Sequence, residues 1–204
     1  SGETDEDGKE TKGYNPVLDV KMLELELDKW YLGILKKVWR TFARTIQNTK
    51  GDFAKAVAKQ FSGLKVDEND IKEVIRKENF NVEKPNEWNE IELLRFSHEL
   101  RHISKPMIIA ANKIDKSDSK ENLKKLKEAY PSLTIIECSA DSELALREAD
   151  KAGLISYIPG DKNFIIKGEL NIKQKAALNK IKEEVLDVYD STGVQHILNT
   201  VVFD

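Results

Sequence analysis

Apolar residues recur at helical spacing through the first half of the chain, then give way near residue 105 to short continuous apolar runs. Residues 1–15 are polar and glycine-containing and read as loop. Pro16 opens the helical pattern, and proline suits a first helical turn, where its missing N–H has no partner to lose. Val20, Leu23, Leu27, Trp30 and Ile34 fall three and four apart, and Tyr31, Leu35, Val38 and Phe42 form an adjoining stripe. This predicts one long helix to about Asn48, stopped at Thr49-Lys50-Gly51, with two apolar stripes suited to a helical hairpin or bundle arm. Further helices are predicted over 52–61, ended by Gly63, and from an Asp67 cap with Ile71, Val74 and Ile75 on one face. Residues 79–86 read as a connection. A fourth helix is predicted over 87–103, carrying Trp88, Ile91, Leu94 and Leu100. Residues 16–103 are therefore expected to form a helical domain.

The period changes at Ser104-Lys105-Pro106. A strand is predicted over 106–111, a basic helix over 119–129, a second strand over 133–137 and a helix over 143–151 closed by Gly153. Strand, helix, strand, helix is the wiring of a parallel sheet with crossovers. Residues 154–170 read as an irregular ordered loop anchored by Ile155, Tyr157, Ile158, Phe164 and Ile165. A strong helix is predicted over 172–189, a break at Ser191-Thr192-Gly193, and a short helix over 194–201. The expected class is α/β: a helical, coiled-coil-like domain plus a partial parallel sheet with flanking helices over 104–204. Two parallel strands leave an open edge, so partial disorder, partner strands or an oligomer through that edge is expected.

Composition narrows the partners. The 204 residues carry 33 basic and 36 acidic side chains, for a net charge of -3. No global polyanion-binding surface is indicated, although Lys36, Lys37, Arg40 and Arg44 give the first helix a basic side. That side is either a solvated face or an RNA or ribosome contact. The single cysteine, Cys138, rules out an intramolecular disulfide framework and fits a reducing compartment. No apolar run approaches membrane-spanning length, and the acidic start Ser-Gly-Glu-Thr-Asp-Glu-Asp is not a signal peptide. A soluble, cytoplasmic protein with no membrane partner is expected.

The chemistry concentrates at Lys105–Asp115, where an apolar run leads into Asn112-Lys113-Ile114-Asp115. Open parallel sheets bind ligands at the carboxyl ends of their strands. Asn-Lys-x-Asp after a strand also resembles the guanine-reading motif of GTPases. A carboxylate can accept from the ring N–H and the exocyclic amine of guanine together, and adenine offers no such pair. Asp115 is placed for that role, Asn112 for an amide contact to the base and a neighbouring loop, and Lys113 to lay its aliphatic stem over the ring. Ser139-Ala140, at the end of the second strand, is expected to give a backbone N–H to the guanine carbonyl. The tetrapeptide alone is common in a lysine-rich chain, since Asn and Asp also serve turns; the second strand end makes the signal specific.

Other patterns carry less. Gly2 with Gly8-Lys9 is rejected as a phosphate-binding loop, because the spacing is wrong and Glu10 follows the lysine. His98 and His102 lie one turn apart with no third metal ligand evident. Cys138 reads as a small core residue, and Trp30, Trp39 and Trp88 as helix packing.

Longer stretches resemble a particular family. Leu-Asp-Lys-Trp-Tyr (27–31), residues 105–115, Cys-Ser-Ala-Asp-Ser-Glu-Leu (138–144), Tyr-Ile-Pro-Gly (157–160) and Ser-Thr-Gly-Val-Gln (191–195) are similar to the archaeal form of the YchF/Obg-like branch of translation-factor-related GTPases. The resemblance implies that residues 16–103 are a helical insertion and that the rest is the later part of a GTPase domain. It implies a GTP site at Asn112, Lys113, Asp115, Ser139 and Ala140; members with glutamate in place of Asp115 prefer ATP. The family's phosphate-binding loop, switch regions and Asp-x-x-Gly element for Mg2+ precede the insertion, and a TGS domain follows; none is in this sequence. The resemblance therefore implies a piece of a longer GTPase acting near the ribosome. This piece would read the base, with no catalytic residues and no metal ligands of its own.

Overall fold

The computed structural model describes residues 13–203; the rejected Gly2/Gly8-Lys9 pattern and most of the loop expected over residues 1–15 lie outside them. The described residues form two compact units. One covers residues 20–107, and the other joins residues 13–19 to residues 108–203.

The first unit is helical: α1 (Val17–Lys36, which starts in the other unit), α2 (Trp39–Thr49), α3 (Phe53–Gln60), α4 (Glu68–Glu78) and α5 (Glu90–Ser104). The single long helix expected to Asn48 is broken at Lys37-Val38, where Val38 leaves helical geometry (φ −126°). The break buries Trp39 and leaves Val38 exposed. Trp39 joins Phe42, Phe53, Phe80, Trp88 and Phe96 in an aromatic cluster with ring centroids 4.6–6.2 Å apart, mostly tilted or edge-on. The two stripes of α1 also part ways: Tyr31 and Leu35 are core, whereas Leu23 and Trp30 are about half exposed. The fourth helix starts later than expected. Trp88 follows a short 3-10 turn, Pro85–Glu87, and its indole N–H donates to the Asn81 carbonyl at 2.9 Å. Asn89 is the helix cap, accepting from Ile91 N and Glu92 N while Glu92 accepts from Asn89 N. This reciprocal box satisfies three N–H groups at once.

The unit also buries charge. Arg101 is 1% exposed; its Nε donates to Asp28 Oδ1 at 2.7 Å, and the other Asp28 oxygen meets His98 Nδ1 at 2.7 Å. Arg101 also reaches His102 Nε2 at 2.7 Å. A guanidinium has only donors, so His102 accepts there and is neutral. Burial first, and then the Arg101 charge, hold the His102 pKa below its usual range.

The second unit holds β1 (Ile108–Asn112), α6 (Ser119–Ala129), β2 (Thr134–Cys138), α7 (Ala140–Lys151), β3 (Ile155–Tyr157), β4 (Phe164–Ile166), α8 (Ile172–Ile181), α9 (Asp187–Tyr189) and α10 (Val194–Phe203). β1 and β2 form a parallel two-stranded sheet, so the fold class is α/β with a largely helical content. Residues 154–170, expected to be irregular, contain the antiparallel pair β3–β4. Three-residue strands are too short to show alternation in sequence. The expected 172–189 helix is interrupted by a π-helical turn, Lys182–Leu186, with no Gly or Pro to announce it. The core of this unit gathers Leu146, Ile155, Tyr157, Leu178 and Leu186.

Candidate functional site

Strand register brings the two predicted site segments together. Ile108 pairs with Thr134 and Asn112 with Cys138, so β1 and β2 end side by side. The chain leaving β1 stays bonded to β2, with Ile114 N donating to the Cys138 carbonyl. Lys113 between them takes φ 69°, a left-handed conformation uncommon outside glycine, asparagine and aspartate. Ser119 Oγ then donates to the Ile114 carbonyl and pins the turn as α6 begins.

Asn112 ties the two strand ends. Its Oδ1 accepts from Lys113 N at 2.8 Å and from Ala140 N at 3.0 Å. Those bonds fix which way the side-chain amide points, and the described residues give its NH2 no partner. On the second strand end, Ser139 is fully buried and caps α7, which therefore starts at Ala140 and not at the expected residue 143. The Ser139 hydroxyl donates to Asp115 Oδ1 at 2.8 Å. With its one proton so placed, the 2.8 Å contact with Ser142 Oγ is donated from Ser142. One Asp115 oxygen is thereby held, and the described residues give the other no hydrogen-bond partner.

All five predicted residues thus lie at this one place, with Asn112, Lys113 and Ala140 exposed and Asp115 half-buried. Their bonding differs from expectation in one respect. Ser139 N already donates to the Thr192 carbonyl and Ala140 N to Asn112, so a ligand carbonyl reaches Ala140 N–H only by sharing it. The start of α7 adds the positive end of a twelve-residue helix. Beside Asp115 lies a cavity of about 220 Å³, walled by Asp141, Ser142, Ala177, Lys180, Ile181 and the π-turn residues Glu184 and Val185.

The sequence did not reveal the support beneath the site. Glu143 is buried, and its carboxylate accepts from Thr192 Oγ1 at 2.5 Å, Tyr157 OH at 2.8 Å and Arg147 Nε at 2.6 Å. Burial works to raise the Glu143 pKa, but these donors bring it below its usual value. The same contact, after burial, pushes Tyr157 up to about 12. Cys138 is buried and its thiol is raised by desolvation, which suits a core residue. Among the described residues no group of three or more His, Cys, Asp or Glu is placed to hold a metal ion. No described helix is long and apolar enough to cross a membrane.

The chain resembles known proteins in sequence and in fold. Residues 110–204 match the family described as Obg-like GTPase YGR210-like, G4 motif-containing domain. Over its whole length the chain is 43% identical to an uncharacterized GTP-binding protein of Methanocaldococcus jannaschii, covering 51% of that protein. It is 28% identical to an uncharacterized GTP-binding protein of Schizosaccharomyces pombe over 97% of the chain and 50% of the relative. The crystal structure of a GTP-binding protein from Pyrococcus horikoshii superposes with a TM-score of 0.79 at 41% identity, over the whole chain and 54% of that structure. The chain spans about half the length of the curated relatives it matches.

Proposed function

We propose that Asn112, Lys113, Asp115, Ser139 and Ala140 form the base-reading half of a guanine-nucleotide site in an Obg-like, translation-associated GTPase. The observation that carries this reading is the Ser139 hydroxyl on Asp115, 2.8 Å away across two in-register strand ends. It orients the carboxylate and leaves Oδ2, with the remaining lone pair of Oδ1, to accept from the ring N–H and exocyclic amine of guanine. The outward NH2 of Asn112 offers a donor to the ring, and the exposed stem of Lys113 a flat apolar cover. Adenine would leave the half-buried carboxylate unmatched, which is how a polar site rejects an analogue strongly. The similarity to GTP-binding proteins supports GTP as the nucleotide.

Phosphoryl transfer depends on phosphate clamping, magnesium and a positioned water, and the sequence of this chain contains no Gly-x-x-x-x-Gly-Lys-Ser/Thr element. The 204-residue chain is therefore proposed to bind GTP weakly and not to hydrolyse it. The reading is tested by titrating the full-length protein with GTP, ATP and xanthosine triphosphate. Wild type should prefer GTP, and Asp115→Asn should shift preference toward the xanthine nucleotide, whose ring presents a carbonyl where guanine has its amine. Equal affinity of the wild type for GTP and ATP would refute it.

A further inference from the structure

Ser139 and Asp115 do not hold their geometry alone. The Ser139 N–H donates to the carbonyl of Thr192, 2.9 Å away on the loop that follows α9. That loop is clamped twice. Gly193 lies so close to β2 that a Cβ there would sit 1.8 Å from the Glu137 carbonyl oxygen. The hydroxyl of Thr192, a residue with no exposed surface, donates to Glu143. Glu143 sits one turn into the helix that Ser139 caps, and its own N–H donates to the Ser139 carbonyl. Its carboxylate is shared with Tyr157, whose phenolic oxygen also accepts from Gly160 N in the turn after β3. Two distant parts of the chain, at Tyr157 and Thr192, therefore converge on the buried Glu143 carboxylate, and the backbone N–H of the same residue is bonded to Ser139.

We infer that Thr192, Glu143 and Tyr157 are positioning residues for base recognition, fixing Ser139 so that its hydroxyl orients Asp115. None of them reaches the strand-end surface where a ligand would lie; they act through Ser139. The inference rests on the guanine reading above. Ser139 has both backbone groups and its hydroxyl engaged, so its place is set by those partners. Loosening the Thr192 loop withdraws the carbonyl that holds Ser139 N, and the Asp115 carboxylate is then free to turn. The effect should fall on the part of the base that the carboxylate reads and not on nucleotide binding in general.

The test compares GDP with inosine diphosphate, which differs only in lacking the exocyclic amine, by calorimetric titration of the full-length protein. Thr192→Val keeps the side-chain shape and removes the hydroxyl. It should reduce the GDP-over-inosine preference by about tenfold, the equivalent of one hydrogen bond to a charged group. Thr192→Ser should restore the preference, and Tyr157→Phe should give a smaller loss in the same direction. If Thr192→Val does not fold, Tyr157→Phe carries the comparison. An unchanged ratio in these variants, or equal weakening of both nucleotides, would overturn the positioning role. A wild type without any GDP-over-inosine preference would instead overturn the guanine reading itself.

Discussion

Gly193→Ala is the perturbation whose outcome the structure specifies most closely. Gly193 takes φ 77°, and a Cβ there would lie 1.8 Å from the Glu137 carbonyl oxygen, 2.9 Å from its carbon and 3.0 Å from Cys138 Cα. All three atoms are backbone of β2, which β1 holds in register, so no flexible side chain can yield. The loop would have to withdraw by roughly 1 Å, a large shift in a close-packed interior. That would pull the Thr192 carbonyl off Ser139 N. The left-handed conformation costs alanine about 1–2 kcal/mol, and a buried N–H left unpaired costs a further ~1–3 kcal/mol. Gly153→Ala is the matched control: φ is 71° there, and nothing lies within 4 Å of the added Cβ. It should lose only the conformational part, about 1–2 kcal/mol. Urea titrations should be read by amide hydrogen exchange at Ile135–Cys138, because all three tryptophans lie in the helical unit and do not report on β2. Gly193→Ala should be the more destabilised of the two by at least ~1 kcal/mol. Equal losses in the two variants would refute the close-approach argument.

Arg101→Ala should destabilise the helical unit by about 3–5 kcal/mol, because it strands the buried Asp28 carboxylate; a urea midpoint read by tryptophan emission checks this, and Trp39 and Trp88 lie in the same core. Tyr157 is raised to about 12 from 10, so its contribution is complete below pH 10 and is lost as pH rises toward 12. Wild type should therefore lose stability over that window, by at most about 2.7 kcal/mol, and Tyr157→Phe should flatten the loss. Glu143 is lowered from 4.5, so its contribution is present above that value and disappears as pH falls below it. Stability profiles of Glu143→Gln should lack that acid limb. At the α1–α2 break and along α2, Lys36 is paired with Glu90, while Lys37, Arg40 and Arg44 are exposed with no ion pair among the described residues. If this face contacts RNA, reversing those three charges should weaken binding and flatten its salt dependence; an unchanged salt slope would mark a merely solvated face.

What the sequence determined by itself was local. The apolar runs read as strands over 106–111 and 133–137, with the single helix between them, sufficed to place a parallel pair with both strand ends together, each strand in fact ending one residue later. Period and capping chemistry lie in neighbouring residues, so Asp67 and the helices over 68–78 and 119–129 were legible. The Asn89–Glu92 box was written there too, but the apolar Trp88 obscured it by mimicking a helical core position. What only the tertiary structure decided was non-local. The bend at Lys37-Val38 follows from packing Trp39 against Phe53 and Trp88, 14 and 49 residues away. The pairing of β3 with β4 and the burial of Arg101 beside Asp28 likewise depend on partners brought in from a distance. Ser191-Thr192-Gly193 read only as a helix stop. Its glycine is required by a strand 56 residues earlier in the chain, and its threonine by a carboxylate 49 residues earlier. Sequence carries the groups that would touch a base, because they must sit at the end of one strand and the start of one helix. It does not show the groups that hold them still, because a hydrogen bond between distant residues leaves no period along the chain.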